Sequence, residues 1–187
     1  MEIERKYLVK QIPENYESFH CHANEQDYLC TGQVVRVRRE DDSYYLTYKG
    51  KGLLSREEYN LPLNEQAYRH LLAKADGIIL TKKRYLIPVE GAGHLTIEMD
   101  VFEGSYQGLV LAEVEFPTEE EAMAFKAPEW FGRDVTFSGE FQNSRLACGD
   151  TNIPCKQVLS HSKPVRRARS FRFYQFDFII IISSSPG

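Results

Sequence analysis

The chain reads as a mainly β protein of the α+β class, built on antiparallel strands, and three observations predict this. Charged and apolar side chains alternate at period two through segment after segment. Turn residues separate those segments, as antiparallel connections require. Only two stretches carry the signals of a helix outside the sheet.

The first segment, Glu2-Ile3-Glu4-Arg5-Lys6, opens the chain with acid, acid and base each two apart. As a strand it sends Glu2, Glu4 and Lys6 to one side and Ile3, Tyr7 and Val9 to the other. Residues 13–25 show no clear period and read as a short helix or loop. Arg36 and Arg38 alternate with valine and share a face. In 44–49, Leu46 and Tyr48 oppose Thr47 and Lys49. In 55–61, Arg56, Glu58 and Asn60 oppose Glu57, Tyr59 and Leu61.

Asn64 then caps a predicted helix over 65–75, whose stripe of Ala67, Leu71, Leu72 and Ala75 ends before Gly77. Lys82 and Arg84 oppose Tyr85 and Ile87. Leu95, Ile97, Met99 and Val101 back a face of Thr96, Glu98 and Asp100. Val110, Ala112, Val114 and Phe116 back Glu113 and Glu115. Thr118-Glu119-Glu120-Glu121 is a capping box that opens a helix to about Lys126, so these glutamates serve the helix dipole. Trp130 and Phe131 read as packing residues.

One face of these strands gathers the acids Glu2, Glu4, Glu58, Glu98, Asp100, Glu113 and Glu115 with the bases Lys6, Arg36, Arg38, Lys49, Arg56, Lys82 and Arg84. Two arrangements fit: an open sheet that wets its charged face, or a sheet closed on itself with the charges in a lumen. Arginine suits bidentate phosphate contact and clustered carboxylates suit Mg²⁺ or Mn²⁺, which is what a metal–polyphosphate complex needs. His20, His22, His70, His94 and His161 lie outside the pattern and read as surface or capping residues.

The length of 187 residues suits one core-bearing domain, and the net charge of −4 argues against general nucleic-acid binding. Cys21, Cys30, Cys148 and Cys155 have no C-x-x-C spacing; with no signal peptide, a reducing cytoplasm is expected. No apolar run reaches membrane-spanning length, Phe178 to Ile182 included. From Cys148 the composition changes: Arg166, Arg167, Arg169 and Arg172 form a basic run, followed by an aromatic and aliphatic stretch to Ile182. Residues 148–187 read as an atypical C-terminal extension.

The ordered motifs of residues 1–147 resemble the CYTH domain, or triphosphate tunnel metalloenzyme, family. Glu2-x-Glu4-x-Lys6 matches its ExExK signature, followed in order by Gln26-Asp27-Tyr28-Leu29, Arg36-x-Arg38, Lys49 and Arg56-x-Glu58. Lys82-x-Arg84, Glu98-x-Asp100, Glu113-x-Glu115, 128–136 and Asn143-Ser144-x-Leu146 complete the series. The resemblance implies a closed eight-stranded antiparallel barrel, a tunnel with helices packed outside. It implies Glu2, Glu4, Glu113 and Glu115 as ligands of Mg²⁺ or Mn²⁺. Lys6, Arg36, Arg38, Lys49, Lys82 and Arg84 become phosphate clamps, with Arg56 added to the substrate set. Glu58, Glu98 and Asp100 become lumen acids.

The likeness to short bacterial members implies metal-dependent hydrolysis of tripolyphosphate, extending to nucleoside triphosphates. Glu4, Lys49 and Glu98 are the candidates for activating water. A class IV adenylate cyclase, a thiamine triphosphatase and a non-catalytic polyphosphate- or nucleotide-binding module are the alternatives. A monomer or homodimer is expected, with a small triphosphate as the partner. Two departures stand out: Asn60, where relatives often carry a second Glu, and Glu140, at a position often basic near the tunnel mouth.

Overall fold

The computed structural model describes residues 1–149. The basic run, the apolar stretch to Ile182, His161 and Cys155 therefore lie outside the described residues. The strands are β1 (Glu2–Val9), β2 (His20–Cys30), β3 (Val34–Glu40), β4 (Ser43–Lys49) and β5 (Ser55–Arg56). They continue with β6 (Glu58–Leu63), β7 (Leu80–Pro88), β8 (Thr96–Phe102), β9 (Val110–Glu115) and β10 (Phe131–Asp134). Three helices accompany them: α1 (Glu65–Leu72), α2 (Glu119–Ala124) and α3 (Asn143–Cys148).

All the strands belong to one antiparallel sheet, ordered β10-β1-β9-β8-β7-β2-β3-β4-β6. β5 continues β6 after a break at Glu57, and it pairs with β1 through Glu2↔Arg56 and Ile3↔Ser55. That short ladder brings the ends of the sheet together into a nearly closed barrel. The sequence-based expectation of eight strands describes the ring, with β5 and β6 counted as one. β10 is additional: it pairs with β1 beyond the closure, at Tyr7↔Asp134 and Val9↔Phe131.

Residues 20–25, expected as helix or loop, form the first half of β2 after a single turn at Tyr16–Ser18. The local sequence His20-Cys21-His22-Ala23-Asn24 offers no apolar stripe to announce a strand. Pairing decides it, because β7 runs alongside from His20↔Leu86 to Gln26↔Leu80. Both predicted helices form, each shorter than expected. Asn64 accepts from the Ala67 amide at 2.8 Å, and Thr118 accepts from the Glu121 amide at 3.2 Å.

The outer faces of β1, β7, β8 and β9 pack a core of Tyr7, Tyr85, Ile97, Met99, Ala112 and Val114, covered by Phe131 and by Ala122 of α2. Trp130 packs on Phe131 with ring centroids 4.5 Å apart, so both are packing residues as expected. A second apolar cluster lies on the inward side. Tyr28, Leu80, Phe102 and Leu111 share strand faces with Gln26, Lys82, Asp100 and Glu113 respectively, two residues along.

Phe141, Leu146 and Ala147 complete that inner cluster, so α3 belongs to the end of the barrel and not to its outer flank. The lumen is consequently filled with apolar side chains at one end. Gly77 lets the chain pass close to α3: with φ +133° and the Ala147 carbonyl 2.6 Å from where a Cβ would sit, no side chain fits. Gly149, in the left-handed region, ends the helix.

Candidate functional site

The inward strand faces enclose a cavity of about 250 Å³. All seven predicted bases line it: Lys6, Arg36, Arg38, Lys49, Arg56, Lys82 and Arg84. Of the seven predicted acids, Glu2, Glu4, Glu58, Glu98, Glu113 and Glu115 line it too. Asp100 stands behind them, fully buried, as a counter-ion for Lys82 and Arg84.

Period two on rigid ladders explains why these residues meet. On β1 and β9, Glu4 lies opposite Glu115 and Lys6 opposite Glu113. Arg84 on β7 lies opposite Asp100 on β8, and Lys49 on β4 opposite Glu58 on β6. The barrel curvature then points each of these pairs at the others.

Most cations are already paired. Lys6 Nζ lies 2.8 Å from Glu113 Oε1 and 3.7 Å from Glu4 Oε1. Lys49 donates to Glu2 at 2.7 Å and 2.9 Å and pairs with Glu58 at 2.6 Å. Arg56 spans Glu2 and Glu4, at 2.8 Å and 3.0 Å. Arg84 grips both Asp100 oxygens at 2.7 Å and also donates to Glu98 and Glu113. Lys82 donates to Asp100.

These pairs set the proton affinities. Burial pulls the Lys6 ammonium down, but Glu113 and Glu4 overturn that and hold it above its ordinary value. Glu113 sits well below its own: burial opposes this, and Lys6 with Arg84 prevails. Glu58 is brought to about 2, where burial is outweighed by Lys49. Lys49 and Lys82 are both lowered, first by burial and then by Arg36 and Arg84 respectively.

Two regions of the lumen are not balanced. Arg36 and Arg38 form no ion pair among the described residues, although Glu58 acts on both and Glu40 on Arg38; Arg36 donates to the Gln26 amide oxygen at 3.0 Å, and Arg38 stacks its guanidinium over Tyr45 at 5.4 Å. The Nε of each is buried without a hydrogen-bond partner among the described residues. Burial and then Arg36 lower the Arg38 value. On β9, Glu115 has no lysine or arginine partner among the described residues. Its carboxyl is pushed up to about 7, first by desolvation and then by Glu98, Glu2 and Glu4, although the residue reaches solvent.

The four carboxylates Glu2, Glu4, Glu113 and Glu115 are hard oxygen donors, chemically suited to Mg²⁺ or Mn²⁺. Glu115, which no base pairs among the described residues, is the carboxylate such a cation would neutralise first. Three of the four donors, Glu2, Glu4 and Glu113, are engaged by Lys or Arg side chains. Among the described residues, no group of three or more His, Cys, Asp or Glu stands ready to hold a metal ion.

Several lining residues escape the sequence pattern: Asn24, Gln26 and Tyr28 on β2, Glu40 on β3, and Gln142, Asn143 and Ser144 at α3. The β2 residues alternate, so a strand assignment there would have found them. Glu40 continues the Arg36, Arg38 spacing. The period-two charge pattern does not reach Gln142 to Ser144, although Asn143-Ser144 belongs to the last of the matched motifs; they arrive because α3 closes the barrel end. Asn60 lines the cavity, donating to Glu58 at 2.8 Å and accepting from Thr47 at 2.7 Å. Glu140 is exposed and pairs with Arg133 at 3.3 Å, away from the cavity lining. His20, His22, His70 and His94 all lie outside the cavity lining.

The CYTH domain model matches residues 1–146. An inorganic triphosphatase of Nitrosomonas europaea is 37% identical over 149 residues, covering 78% of this chain and 96% of the relative. An inorganic triphosphatase of Acetivibrio thermocellus is 35% identical over 153 residues, covering 78% and 92%. Among solved structures, a crystal structure of an inorganic triphosphatase superposes with a TM-score of 0.60 at 33% identity, covering 79% of this chain and 94% of that one. The ordered charge motifs, the barrel they line and these matches agree: the chain belongs to the CYTH domain family.

Proposed function

We propose that the chain is an inorganic triphosphatase that hydrolyses the terminal phosphoryl group of tripolyphosphate with the help of Mg²⁺ or Mn²⁺. The observation that carries the reading is the lumen itself. Seven bases converge on one small cavity, and two of them, Arg36 and Arg38, form no ion pair with a carboxylate among the described residues. The names of the two relatives point to the same substrate class.

A triphosphate leaves water only where fixed cations replace its hydration. Arg36 and Arg38 are free to receive it directly. Lys6, Lys49, Arg56, Lys82 and Arg84 exchange carboxylate for phosphate oxygen as it enters, so the acids prevent an empty cavity of unbalanced positive charge. Glu2, Glu4, Glu113 and Glu115 would hold the metal, which supplies charge neutralisation on phosphate oxygens. Phosphoryl transfer asks for positioning and charge stabilisation, so no nucleophilic side chain is required. Of the water-activating candidates, Glu4 is tied to Arg56 and Lys6, whereas burial raises Glu98 and lowers Lys49 toward neutrality.

The surroundings are consistent with a cytoplasmic enzyme: Cys21, Cys30 and Cys148 form no disulfide among the described residues. Among the described residues, no helix is long and apolar enough to cross a membrane.

The test offers purified protein tripolyphosphate, ATP and thiamine triphosphate with Mg²⁺ or Mn²⁺. Orthophosphate released chiefly from tripolyphosphate supports the proposal, with turnover of ATP extending it. Pyrophosphate with cyclic AMP from ATP overturns it in favour of a cyclase, and binding without turnover makes the chain a binding module.

A further inference from the structure

Arg36, which is buried, differs from the half-buried lumen arginine Arg84 in the partner that orients it. Arg84 is held by Asp100, Glu98 and Glu113. Arg36, 5% exposed, is held by Gln26, whose side chain is 1% exposed. Arg36 Nη1 donates to Gln26 Oε1 at 3.0 Å, and Gln26 Nε2 donates to the Tyr28 hydroxyl at 3.1 Å. Gln26 lies opposite Arg38 on the β2–β3 ladder and Tyr28 lies opposite Arg36, so backbone pairing fixes the chain Tyr28–Gln26–Arg36.

A buried arginine is ordinarily given a carboxylate, because an isolated charge out of water is costly. Here the acceptor is an amide of the same shape as glutamate but without its charge. That choice costs stability in the empty barrel and leaves the guanidinium without a carboxylate in direct contact among the described residues, although the charge of Glu58 acts on it. We propose that Gln26 is a positioning residue: it fixes Arg36 with a neutral acceptor, so that the guanidinium keeps its full charge for a phosphate chain. It rests on the polyphosphate-binding part of the function proposed above.

Two roles for Gln26 are separable by one isosteric change. If Gln26 only holds Arg36 in place, Gln26→Glu holds it better, since a carboxylate accepts from Arg36 more strongly and can accept from the Tyr28 hydroxyl as well. If neutrality is the point, Gln26→Glu quenches the cation and weakens anion binding. We expect Gln26→Glu to melt at or above the wild-type temperature while its dissociation constant for tripolyphosphate rises about ten- to a hundredfold. KM should rise with it, and kcat should fall by much less. Gln26→Met, neutral but unable to accept, should bind more tightly than Gln26→Glu and less tightly than wild type.

The experiment measures tripolyphosphate binding by calorimetry, together with thermal melting and KM and kcat, for wild type, Gln26→Glu and Gln26→Met. Wild-type or tighter binding by a folded Gln26→Glu overturns the proposal. If Gln26→Glu fails to fold, Gln26→Met decides alone: binding equal to wild type overturns it. Wild-type binding without turnover overturns the hydrolytic reading and leaves the binding comparison to judge Gln26. Absence of tripolyphosphate binding by the wild type overturns both.

Discussion

Lys6 and Glu113 face each other across the β1–β9 ladder, with Nζ 2.8 Å from Oε1, and both are almost fully buried. Arg84 reaches the same carboxylate from β7. One acid thus ties three strands of the barrel together and anchors two bases that the proposed substrate would need.

Glu113→Gln should therefore strike stability before chemistry. It leaves Lys6 and Arg84 short of a buried counter-ion, a loss of roughly 3–5 kcal/mol by chemical denaturation. Tripolyphosphate should restore part of the loss, because its oxygens supply the missing negative charge. A variant as stable as wild type, with no extra gain from ligand, would show that the pair is not a structural hinge of the lumen.

Arg38→Ala should behave in the opposite way. Arg38 forms no ion pair among the described residues, and its removal relieves a repulsion from Arg36 that ranks ahead of the attraction of Glu40 and Glu58. Melting temperature should hold or rise, while KM for tripolyphosphate increases about tenfold or more. Steady-state kinetics alongside a thermal melt checks both halves, and unchanged KM would remove Arg38 from the substrate set.

Glu115 predicts a pH dependence with a definite sign. Its folded value of about 7 lies above the ordinary 4.5, so the folded state holds the proton more tightly than the unfolded chain. The associated stability is present below about 4.5 and is lost as pH rises through 7. In metal-free buffer, Glu115→Gln should flatten the fall in melting temperature across that window. Mg²⁺ or Mn²⁺ should stabilise the wild type more at pH 8 than at pH 5, and a metal effect that ignores pH would count against Glu115 as a ligand.

Leu146→Ala tests the apolar filling of the barrel end. Leu146 is fully buried among Tyr28, Leu80, Phe102 and Leu111. Its truncation should cost about 2–5 kcal/mol. KM should change little in the protein that remains folded, because the side chain touches the plug and not the charged lumen. A large KM change at unchanged stability would place α3 in substrate binding instead.

The sequence by itself determined which side chains share a strand face, because the period of two is written into the order of residues. That is why Glu2, Glu4, Lys6, Arg36, Arg38, Lys82, Arg84, Glu98, Glu113 and Glu115 were legible as one charged set, and why Asn64 and Thr118 announced their helices. Tertiary structure alone decided whether that set faced water or a lumen. Closure depends on the Glu2↔Arg56 and Ile3↔Ser55 ladder between residues far apart in the chain. It likewise made a strand of residues 20–25, through pairing with β7, and brought Gln142 to Ser144 to the cavity with α3. The reason is physical: periodicity records which neighbours a residue has along its own strand, whereas its electrical partners come from strands that only the curvature of the sheet brings near.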